Sequence, residues 1–462
     1  MQTISRAVSP QDRQSLRNHV INLRQGQFSS DGDFSTTRQD VERIFNVALP
    51  AALAEAQAAN RKLRLLFYAH GGLNGETDGL DIAQRQLNWW LANKVYPVTF
   101  VWQTGVTETL DDQLTDLFGS RLPKAGWSFN LFEQVDRMVE KTAKKRLRWV
   151  WDEMKENAFG AADALPRNYR DKPPNKLPGA SLTVAKLKEH LAQAPKRPTE
   201  VHLVGHSAGS IFLVGLIERL VAAKIPIASL TYLAAALRTD TWVERVLPHL
   251  QSGAIRKFTT FGLDPVRELD DVTGGKEVAL YHKSLLYLVS RALEPTREET
   301  EIPLVGMAHC AKTKVKGTTF EGALKKVRGT AVWSPDAAGP NSRSDAAAHG
   351  AFDDDSATMT SVLLRIIDQN TVKQGNEFAP HRPPPRSGAL IASEPTELED
   401  QPPEIVTAEV TGTAAVGTPA VSEKQHTPAT TRSAARRGTR GSQADGTVLD
   451  ALKRAGWTTG SG

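Results

Sequence analysis

The sequence is almost without cysteine. Cys310 is the only one among 462 residues, so an intrachain disulfide is excluded. A lone thiol fits a reducing compartment, and we expect a cytoplasmic protein. No group of cysteines and histidines has the spacing of a zinc site, and no Gly-x-x-x-x-Gly-Lys-Ser/Thr phosphate loop is present. The sequence therefore predicts no metal and no cofactor.

Long apolar runs are missing too. No stretch approaches the roughly 18 uninterrupted apolar residues of a membrane span, and the N terminus lacks the apolar segment of a secretion signal. An excess of one charge is also absent, because 57 lysines and arginines face 52 aspartates and glutamates, a net charge of +5. This balance gives no reason to expect nucleic-acid binding. Apolar residues make up 40% of the chain, enough for a large core.

The most informative stretch of the chain combines an apolar strand, a tight turn and a helix. Residues 201–204 are mostly apolar, Gly205–Gly209 reads Gly-His-Ser-Ala-Gly, and apolar residues then recur at helical spacing as far as Leu220. In a Gly-x-Ser-x-Gly turn the serine, here Ser207, has a strained backbone that lifts its hydroxyl clear of the chain. The glycines are needed because a Cβ would collide with the adjoining strand and helix.

Strands and helices alternate on both sides of this stretch. Apolar strands are predicted at residues 63–69, 96–102, 229–237 and 255–263, with helical patterns between them. Strand, helix and strand in this order form right-handed units of a parallel sheet. We therefore expect an α/β fold with a mostly parallel central sheet flanked by helices.

The chain divides into three parts by composition. Residues 1–62 are predicted to be a helical extension packed on the core, and residues 63–367 the α/β domain. Residues 368–462 are rich in Pro, Ala, Thr, Gly and Ser and are predicted to be a disordered tail. Within the domain, the insertion 103–198 carries a basic, tryptophan-bearing helical pattern from Leu131 to Asn157 and is a candidate lid or cap.

The insertion and the tail are also the candidate interaction surfaces. The basic face of the insertion could contact an anionic membrane surface, but packing of its tryptophans on the domain is the favoured interpretation. The tail is a candidate binding segment for a protein partner. Three acids at 353–355 resemble metal ligands, but their place before a helix favours capping.

The stretch around Ser207 resembles the nucleophile elbow of the α/β-hydrolase superfamily. A second segment, His70-Gly71-Gly72 at the end of an apolar strand, is similar to the oxyanion loop of that superfamily. The likeness extends from Leu63 to about Ile367. It implies an α/β-hydrolase fold and a serine hydrolase, esterase- or lipase-like, that acts on a small-molecule or lipid acyl substrate.

The resemblance also implies the nucleophile and the base. Ser207 would be the nucleophile, and a histidine after the last core strand would take its proton. His349 fits this position, in a loop just before the final helix. His309 is the main rival, and His282, at a predicted helix start, is a weaker one.

The acid is left open between several carboxylates. Asp264 follows the strand after which the superfamily places its acid, so it comes first. Asp240, one strand earlier, is an alternative that could equally cap a helix. Asp270 and Asp271 lie farther along the loop of Asp264. The acid would hold the imidazole tautomer and stabilise its positive charge.

Two backbone N–H groups complete the implied site as an oxyanion hole. One would come from Ala208, directly after the nucleophile, and the other from Gly72, with Leu73 next. His70 and His206 are expected to be structural. The alternative function is a non-catalytic interaction protein that keeps the hydrolase scaffold and acts through its basic insertion and tail.

Overall fold

The structure is a computed structural model that describes residues 10–72, 75–103, 129–193, 199–273, 281–295 and 300–380. Its strands are β1 Val20–Arg24, β2 Gln27–Phe28, β3 Leu63–Ala69, β4 Val95–Gln103, β5 Thr199–His206, β6 Ile227–Leu233, β7 Phe258–Leu263, β8 Lys314–Val315, β9 Thr318–Thr319 and β10 Thr330–Ser334. Eight of them form one sheet in the order β10-β7-β6-β5-β3-β4-β1-β2, and β8 and β9 form a separate hairpin. All pairs in the large sheet are parallel except β1 with β2. The mostly parallel sheet predicted from the sequence is confirmed.

Helices cover both faces of this sheet. The described α-helices are Pro10–Leu16, Arg38–Arg43, Leu49–Ala58, Glu76–Ala92, Phe129–Arg146, Arg148–Gly160, Gly179–Gln193, Gly209–Ala222, Thr239–Arg245, Leu247–Gln251, Pro265–Asp270, Leu285–Leu288, Phe320–Lys326 and Ser356–Ile367. Along β3, Leu65 and Phe67 belong to one buried cluster and Leu66 and Tyr68 to another. Because successive side chains of a strand point to opposite faces, the central strands are buried on both sides. No helix within the described ranges is long and apolar enough to cross a membrane.

The parallel strands bring the predicted site segments to one edge of the sheet. The last residues of β3 and β5 are in register, since Ala69 pairs with Gly205, and His206 pairs with Leu233 at the end of β6. The loops that follow these strands, and those after β7 and β10, leave from the same carboxyl edge. Ligand sites in open α/β sheets form at this edge.

The N-terminal part is not only helical, in contrast to the expectation from the sequence. Thr37 does begin a helix with a reciprocal capping box to Asp40, but β1 and β2 also extend the sheet beyond β4. The strand was missed because Asn22 interrupts its short apolar run. Buried Asn22 donates from Nδ2 to Phe34 O at 2.7 Å and to Glu76 Oε1 at 2.7 Å, so both N–H donors of its side chain are satisfied inside the core.

The single helical run predicted within the insertion forms two helices in the structure, Phe129–Arg146 and Arg148–Gly160. The helical run from 131 to 157 is divided at Leu147, whose φ and ψ are −112° and −11°. The second helix packs against Gly209–Ala222, and a Cβ on Gly215 would lie only 2.6 Å from the Cβ of Ala162. Residues 104–128 and 194–198 of the insertion lie outside the described ranges.

Packing continues beyond the predicted end of the domain at 367. Phe378 is buried, and its ring makes an edge contact with Trp89 at a centroid distance of 4.8 Å. Trp89 Nε1 donates to Asn376 O at 3.0 Å. Residues 368–378, which were predicted to belong to the tail, therefore pack on the helix Glu76–Ala92. The remainder of the predicted tail, from 381 on, lies outside the described residues.

Candidate active site

Ser207 occupies a strained turn between β5 and the helix Gly209–Ala222. Its φ is +51°, in the left-handed region that residues with a Cβ seldom adopt. Hydrogen bonds on both sides hold this conformation: Ser207 N donates to Leu233 O at 2.8 Å, and Ser207 O accepts from Ala236 N at 3.1 Å and from Ser210 Oγ at 2.6 Å. The turn therefore has the strained geometry expected from the Gly-His-Ser-Ala-Gly stretch.

The two glycines of the stretch are required by close packing. A Cβ on Gly209 would lie 2.1 Å from Ala69 O, in the backbone of β3. A Cβ on Gly205 would lie 2.8 Å from the side chain of Leu213 and 2.9 Å from the backbone of Gly209. Backbone atoms cannot move away as a flexible side chain can, so Gly209 allows the helix to start directly against the end of β3.

His349 lies beside the hydroxyl of Ser207. Its Nε2 is 2.9 Å from Ser207 Oγ, and both side chains are buried. A serine that donates to Nε2 requires the neutral tautomer with its proton on Nδ1. Burial, with a further effect from the His206 ring, lowers the pKa of His349 to about 3. The ring is thus neutral at physiological pH and can accept the proton of Ser207.

The candidate acids differ in their relation to His349. Asp271 Oδ2 accepts a hydrogen bond from the main-chain N–H of His349 at 2.7 Å. Asp264 caps the helix Pro265–Asp270 by accepting from Arg267 N at 2.8 Å. Asp240 binds Arg238, with an Nη2 to Oδ2 distance of 2.6 Å. The structure therefore brings Asp271 to His349, whereas Asp264, ranked first from the sequence, and Asp240 have capping and ion-pair contacts.

The carboxylate of Asp271 contacts the backbone of His349 rather than its ring. Within the described residues, His349 Nδ1 is buried and has no hydrogen-bond partner. Asp271 Oδ1 accepts from Val272 N at 2.8 Å. Burial raises the pKa of Asp271 to about 6, although both backbone hydrogen bonds favour its charged form. Asp271 is thus mostly ionised at neutral pH and protonated in mild acid.

The proposed oxyanion residues lie against each other. A Cβ on Gly72 would be 2.9 Å from the Cβ of Ala208 and 2.1 Å from the sulfur of Met154, on the helix Arg148–Gly160. Neither Gly72 nor Ala208 has an acceptor for its N–H among the described residues. The position of Met154 means that a helix of the insertion covers this part of the site. Leu73, the other residue considered, is outside the described ranges.

His70 has the structural contacts expected of it. Its Nδ1 donates to Gly71 O at 2.7 Å, and its Nε2 accepts from Trp102 N at 3.2 Å. These contacts define a neutral tautomer, and burial lowers the pKa of His70 to about 4. The ring thereby holds the glycine loop against the end of β4.

The two rival histidines have other partners. His309 Nε2 is 3.2 Å from Glu301 Oε1 and 3.3 Å from Cys310 Sγ. His282 Nδ1 is 3.1 Å from Asp136 Oδ1, on an insertion helix. Neither has a described contact with Ser207, so His349 is the histidine that the fold brings to Ser207.

Arg267 is a site-supporting residue that sequence reasoning missed. Its Nη1 donates to Ser334 Oγ at 2.9 Å, to Asp345 O at 3.0 Å and to Ala346 O at 2.7 Å. These oxygens belong to β10 and to the loop leading to His349. Arg267 thus connects the segment that carries Asp271 with the loop that carries His349. No sequence signal marks it, because these acceptors are 67 to 79 residues away along the chain.

The combination of fold and site defines a coarse class. It is an α/β protein whose strained serine contacts a neutral histidine at the carboxyl edge of a parallel sheet. The described residues include no group of three or more acidic, histidine or cysteine side chains able to hold a metal ion. No protein-family model matches the chain, and no curated protein shows significant similarity to it. Since unrelated enzymes share such folds, a functional assignment must depend on the site itself.

Proposed function

We propose that this protein is a serine hydrolase of the α/β-hydrolase superfamily that cleaves an ester-type acyl bond through an acyl-enzyme. The observation that carries the proposal is the 2.9 Å contact between Ser207 Oγ and His349 Nε2 at a strained turn. A serine hydroxyl is a poor nucleophile until a neighbouring base takes its proton. A neutral, buried imidazole at hydrogen-bonding distance meets this requirement.

The first half of the reaction would form the acyl-enzyme. Ser207 Oγ attacks the carbonyl carbon of the ester while its proton passes to His349 Nε2. The carbonyl oxygen becomes an oxyanion, which the N–H groups of Ala208 and Gly72 would stabilise. Loss of one such donor typically costs roughly 10²–10³-fold in rate. The intermediate collapses, the ester C–O bond breaks, and the alcohol leaves with the proton from His349.

The second half would release the acid. Water gives a proton to His349 Nε2 and attacks the acyl carbon, and a second oxyanion forms in the same place. Its collapse breaks the bond to Ser207 Oγ, which recovers the proton from His349. The free enzyme is regenerated without a cofactor or metal.

Asp271 is the acid that we propose for this mechanism. Its carboxylate touches the residue that becomes a cation during each proton transfer, and an ionised carboxylate stabilises that cation. Asp271 acts only when ionised. Because burial raises its pKa to about 6, we expect activity to fall as the pH decreases through about 6.

An ester with a small-molecule or lipid acyl group is the proposed substrate class, as the resemblance implies. Met154 limits the space over Gly72 and is buried with the rest of the site. A largely dry site strengthens the attraction between the oxyanion and the two N–H donors.

The decisive experiment is covalent labelling with a fluorophosphonate probe. The wild-type protein should be labelled at one serine per chain, and Ser207→Ala should not be labelled. Ser290→Ala is the matched control, because Ser290 is a buried serine whose hydroxyl donates to Ile302 O and has no described contact with Ser207. It should keep the label. Equal labelling of Ser207→Ala and wild type would remove Ser207 from the mechanism, and an unlabelled wild type would favour the non-catalytic alternative.

A further inference from the structure

A second imidazole–carboxylate pair lies behind the ring of His349. It consists of His206, from the Gly-His-Ser-Ala-Gly turn, and Asp353, four residues after His349. Both side chains are buried, with 5% of each residue exposed. Burying two titratable groups is unfavourable unless they are paired or hydrogen-bonded. This pair lies next to the base of the proposed hydrolase.

His206 contacts both the ring and the backbone of His349. The two rings are stacked, with centroids 5.6 Å apart and an angle of 30° between their planes. His206 Nε2 lies 3.0 Å from His349 O. A carbonyl oxygen only accepts hydrogen bonds, so Nε2 of His206 carries a proton and donates it.

The other nitrogen of His206 faces a carboxylate. His206 Nδ1 is 3.7 Å from Asp353 Oδ2, which also accepts a hydrogen bond from Tyr68 OH at 3.2 Å. Because Nε2 already carries a proton, a second proton on His206 would be on Nδ1. The charge of Asp353 stabilises that cation at this position.

A charged His206 would oppose a positive charge on His349. Like charges on neighbouring groups disfavour the second ionisation. The pKa of His349 reflects these opposing effects, because after burial the His206 ring lowers it and the Asp353 carboxylate raises it. The pair can therefore keep the base neutral at rest.

We propose that His206 and Asp353 are positioning residues for the base: His206 holds the main chain of His349, and the charges of the pair set how readily its ring accepts a proton. This role rests on the proposed hydrolase function. Among the described residues, the other titratable or charged groups near the pair include Asp271, on the backbone N–H of His349, His70, a neutral ring at the end of β3, and Arg85, which pairs with Asp354 at 3.0 Å. Removing a cation raises the pKa of both His349 and Asp271, and removing an anion lowers both. We call the fall in rate at low pH the acid limb of the pH–rate profile. The limb should shift in the same direction whether His349 or Asp271 is the group that titrates in it.

The test measures the rate constant of fluorophosphonate labelling from pH 4 to 9, with p-nitrophenyl acetate hydrolysis as a second readout. His206→Gln keeps an amide donor but cannot become a cation. Its acid limb should move to higher pH by about 1 unit or more, the usual effect of a charge at this separation. In the His206→Gln background, Asp353→Asn should move the limb back to lower pH, because no imidazole remains for that carboxylate to charge.

The matched control is His202→Gln. His202 is also a buried histidine on β5, but its Nδ1 is bound to Ser229 Oγ at 2.8 Å, and its loss should leave the limb in place. Limbs that coincide in wild type and His206→Gln, or a rate lowered equally at every pH, would overturn the inference. His206→Asn repeats the test if the glutamine variant does not fold. A wild type without label at Ser207 refutes the proposed hydrolase itself, whereas a labelled wild type with unshifted variants refutes only the role of the pair.

Discussion

At the scale of single residues, the loop after β7 contains several carboxylates with different tasks. Asp264 caps the N terminus of the helix Pro265–Asp270, and Asp271 accepts from the backbone N–H of His349. Between them Glu268 is buried, accepts a hydrogen bond from the hydroxyl of Ser284, and has its pKa raised to about 8, mainly by burial. These differences make the three side chains separable by substitution.

Replacing the two aspartates should affect different properties. Asp271→Asn removes a negative charge beside His349 but no hydrogen bond to its ring, so kcat/KM for p-nitrophenyl acetate should fall by roughly 10- to 10³-fold, the effect of one to three pKa units. Asp264→Asn keeps a side chain able to cap the helix, and should change both activity and stability little. Asp264→Ala should lower the free energy of unfolding by about 1 kcal/mol. A larger loss of activity in Asp264→Asn than in Asp271→Asn would restore Asp264 as the acid.

Glu268 should make stability depend on pH. In the unfolded chain it ionises near its ordinary value of 4.5, and in the folded protein near 8. Between these values the folded state holds a proton that the unfolded state has released, so the free energy of unfolding falls as the pH rises from about 4.5 to 8. Glu268→Gln cannot ionise and should reduce this fall by an amount on the order of a few kcal/mol.

Denaturant unfolding at pH 5 and pH 8 measures this difference. Glu321→Gln is the control, because Glu321 lies on the surface and pairs with Lys325. Its pH dependence should match that of the wild type. Parallel pH profiles for wild type and Glu268→Gln would show that burial does not hold a proton on Glu268.

The sequence was sufficient to single out Ser207 and His349, which lie in contact, but not to choose among the carboxylates. Ser207 is marked by its glycines, and His349 by its position after the last strand. Asp264, Asp270 and Asp271 lie within one short loop, and their order along the chain does not determine which side chain points towards His349. That direction depends on the six-residue helix Pro265–Asp270 and on Arg267, whose contacts are long-range.

At the scale of secondary-structure elements, the position at which the helix Gly209–Ala222 starts determines where Ala208 lies in the site. The helix begins against β3, so Ala208 lies beside Gly72 and its N–H is left without an acceptor among the described residues. Packing of the insertion helix Arg148–Gly160 on the same helix brings Met154 over Gly72. The oxyanion geometry thus depends on how closely these elements approach.

Gly209→Ala should disrupt both the packing and the site. Its Cβ would meet Ala69 O at 2.1 Å, and overpacking of this kind costs about 1–3 kcal/mol or more. Moving the helix start would also displace Ala208, so fluorophosphonate labelling should slow by a larger factor than stability alone explains. Gly350→Ala is the control, because no atom lies within 4 Å of the position that its Cβ would occupy. It should change stability by less than about 0.5 kcal/mol.

The elements that were missed from the sequence have local causes. β1 is a five-residue strand with a buried asparagine at its centre, and the side-chain nitrogen of this asparagine donates to partners 12 and 54 residues away. A pattern of apolar residues cannot reveal such partners. The break at Leu147 is equally invisible, because leucine and its neighbours favour helix. Longer strands that are mostly apolar, such as β3 and β5, were predicted correctly.

At the scale of the whole molecule, the parallel sheet explains how residues 142 positions apart come into contact at the site. Every strand that precedes a site loop ends at the same edge. The order of strands could be expected only through the resemblance, since periodicity gives strands but not their neighbours. The extent of the packed body beyond Ile367 was not predicted, because the residues around Phe378 resemble the low-complexity sequence that follows.

Two shortened chains should locate the end of the packed body. A chain that ends at Pro380 keeps Phe378 against Trp89 and Asn376 O as acceptor for Trp89 Nε1. Its melting temperature and fluorophosphonate labelling should match those of the full chain. A chain that ends at Ile367 loses these contacts and exposes Trp89. Burial of one phenylalanine contributes about 2 kcal/mol, so its melting temperature should fall by several degrees.

Phe378→Ala in the full chain separates the loss of packing from the loss of chain length. Because it removes the ring that contacts Trp89 and leaves the backbone of Asn376 in place, it should reproduce most of the destabilisation of the chain ending at Ile367. Labelling of Ser207 should persist at low temperature in both variants, since the helix Glu76–Ala92 carries none of the proposed catalytic groups. Equal melting temperatures for the chains ending at Ile367 and Pro380 would place the boundary of the stable body at the end of the last helix, as predicted from the sequence.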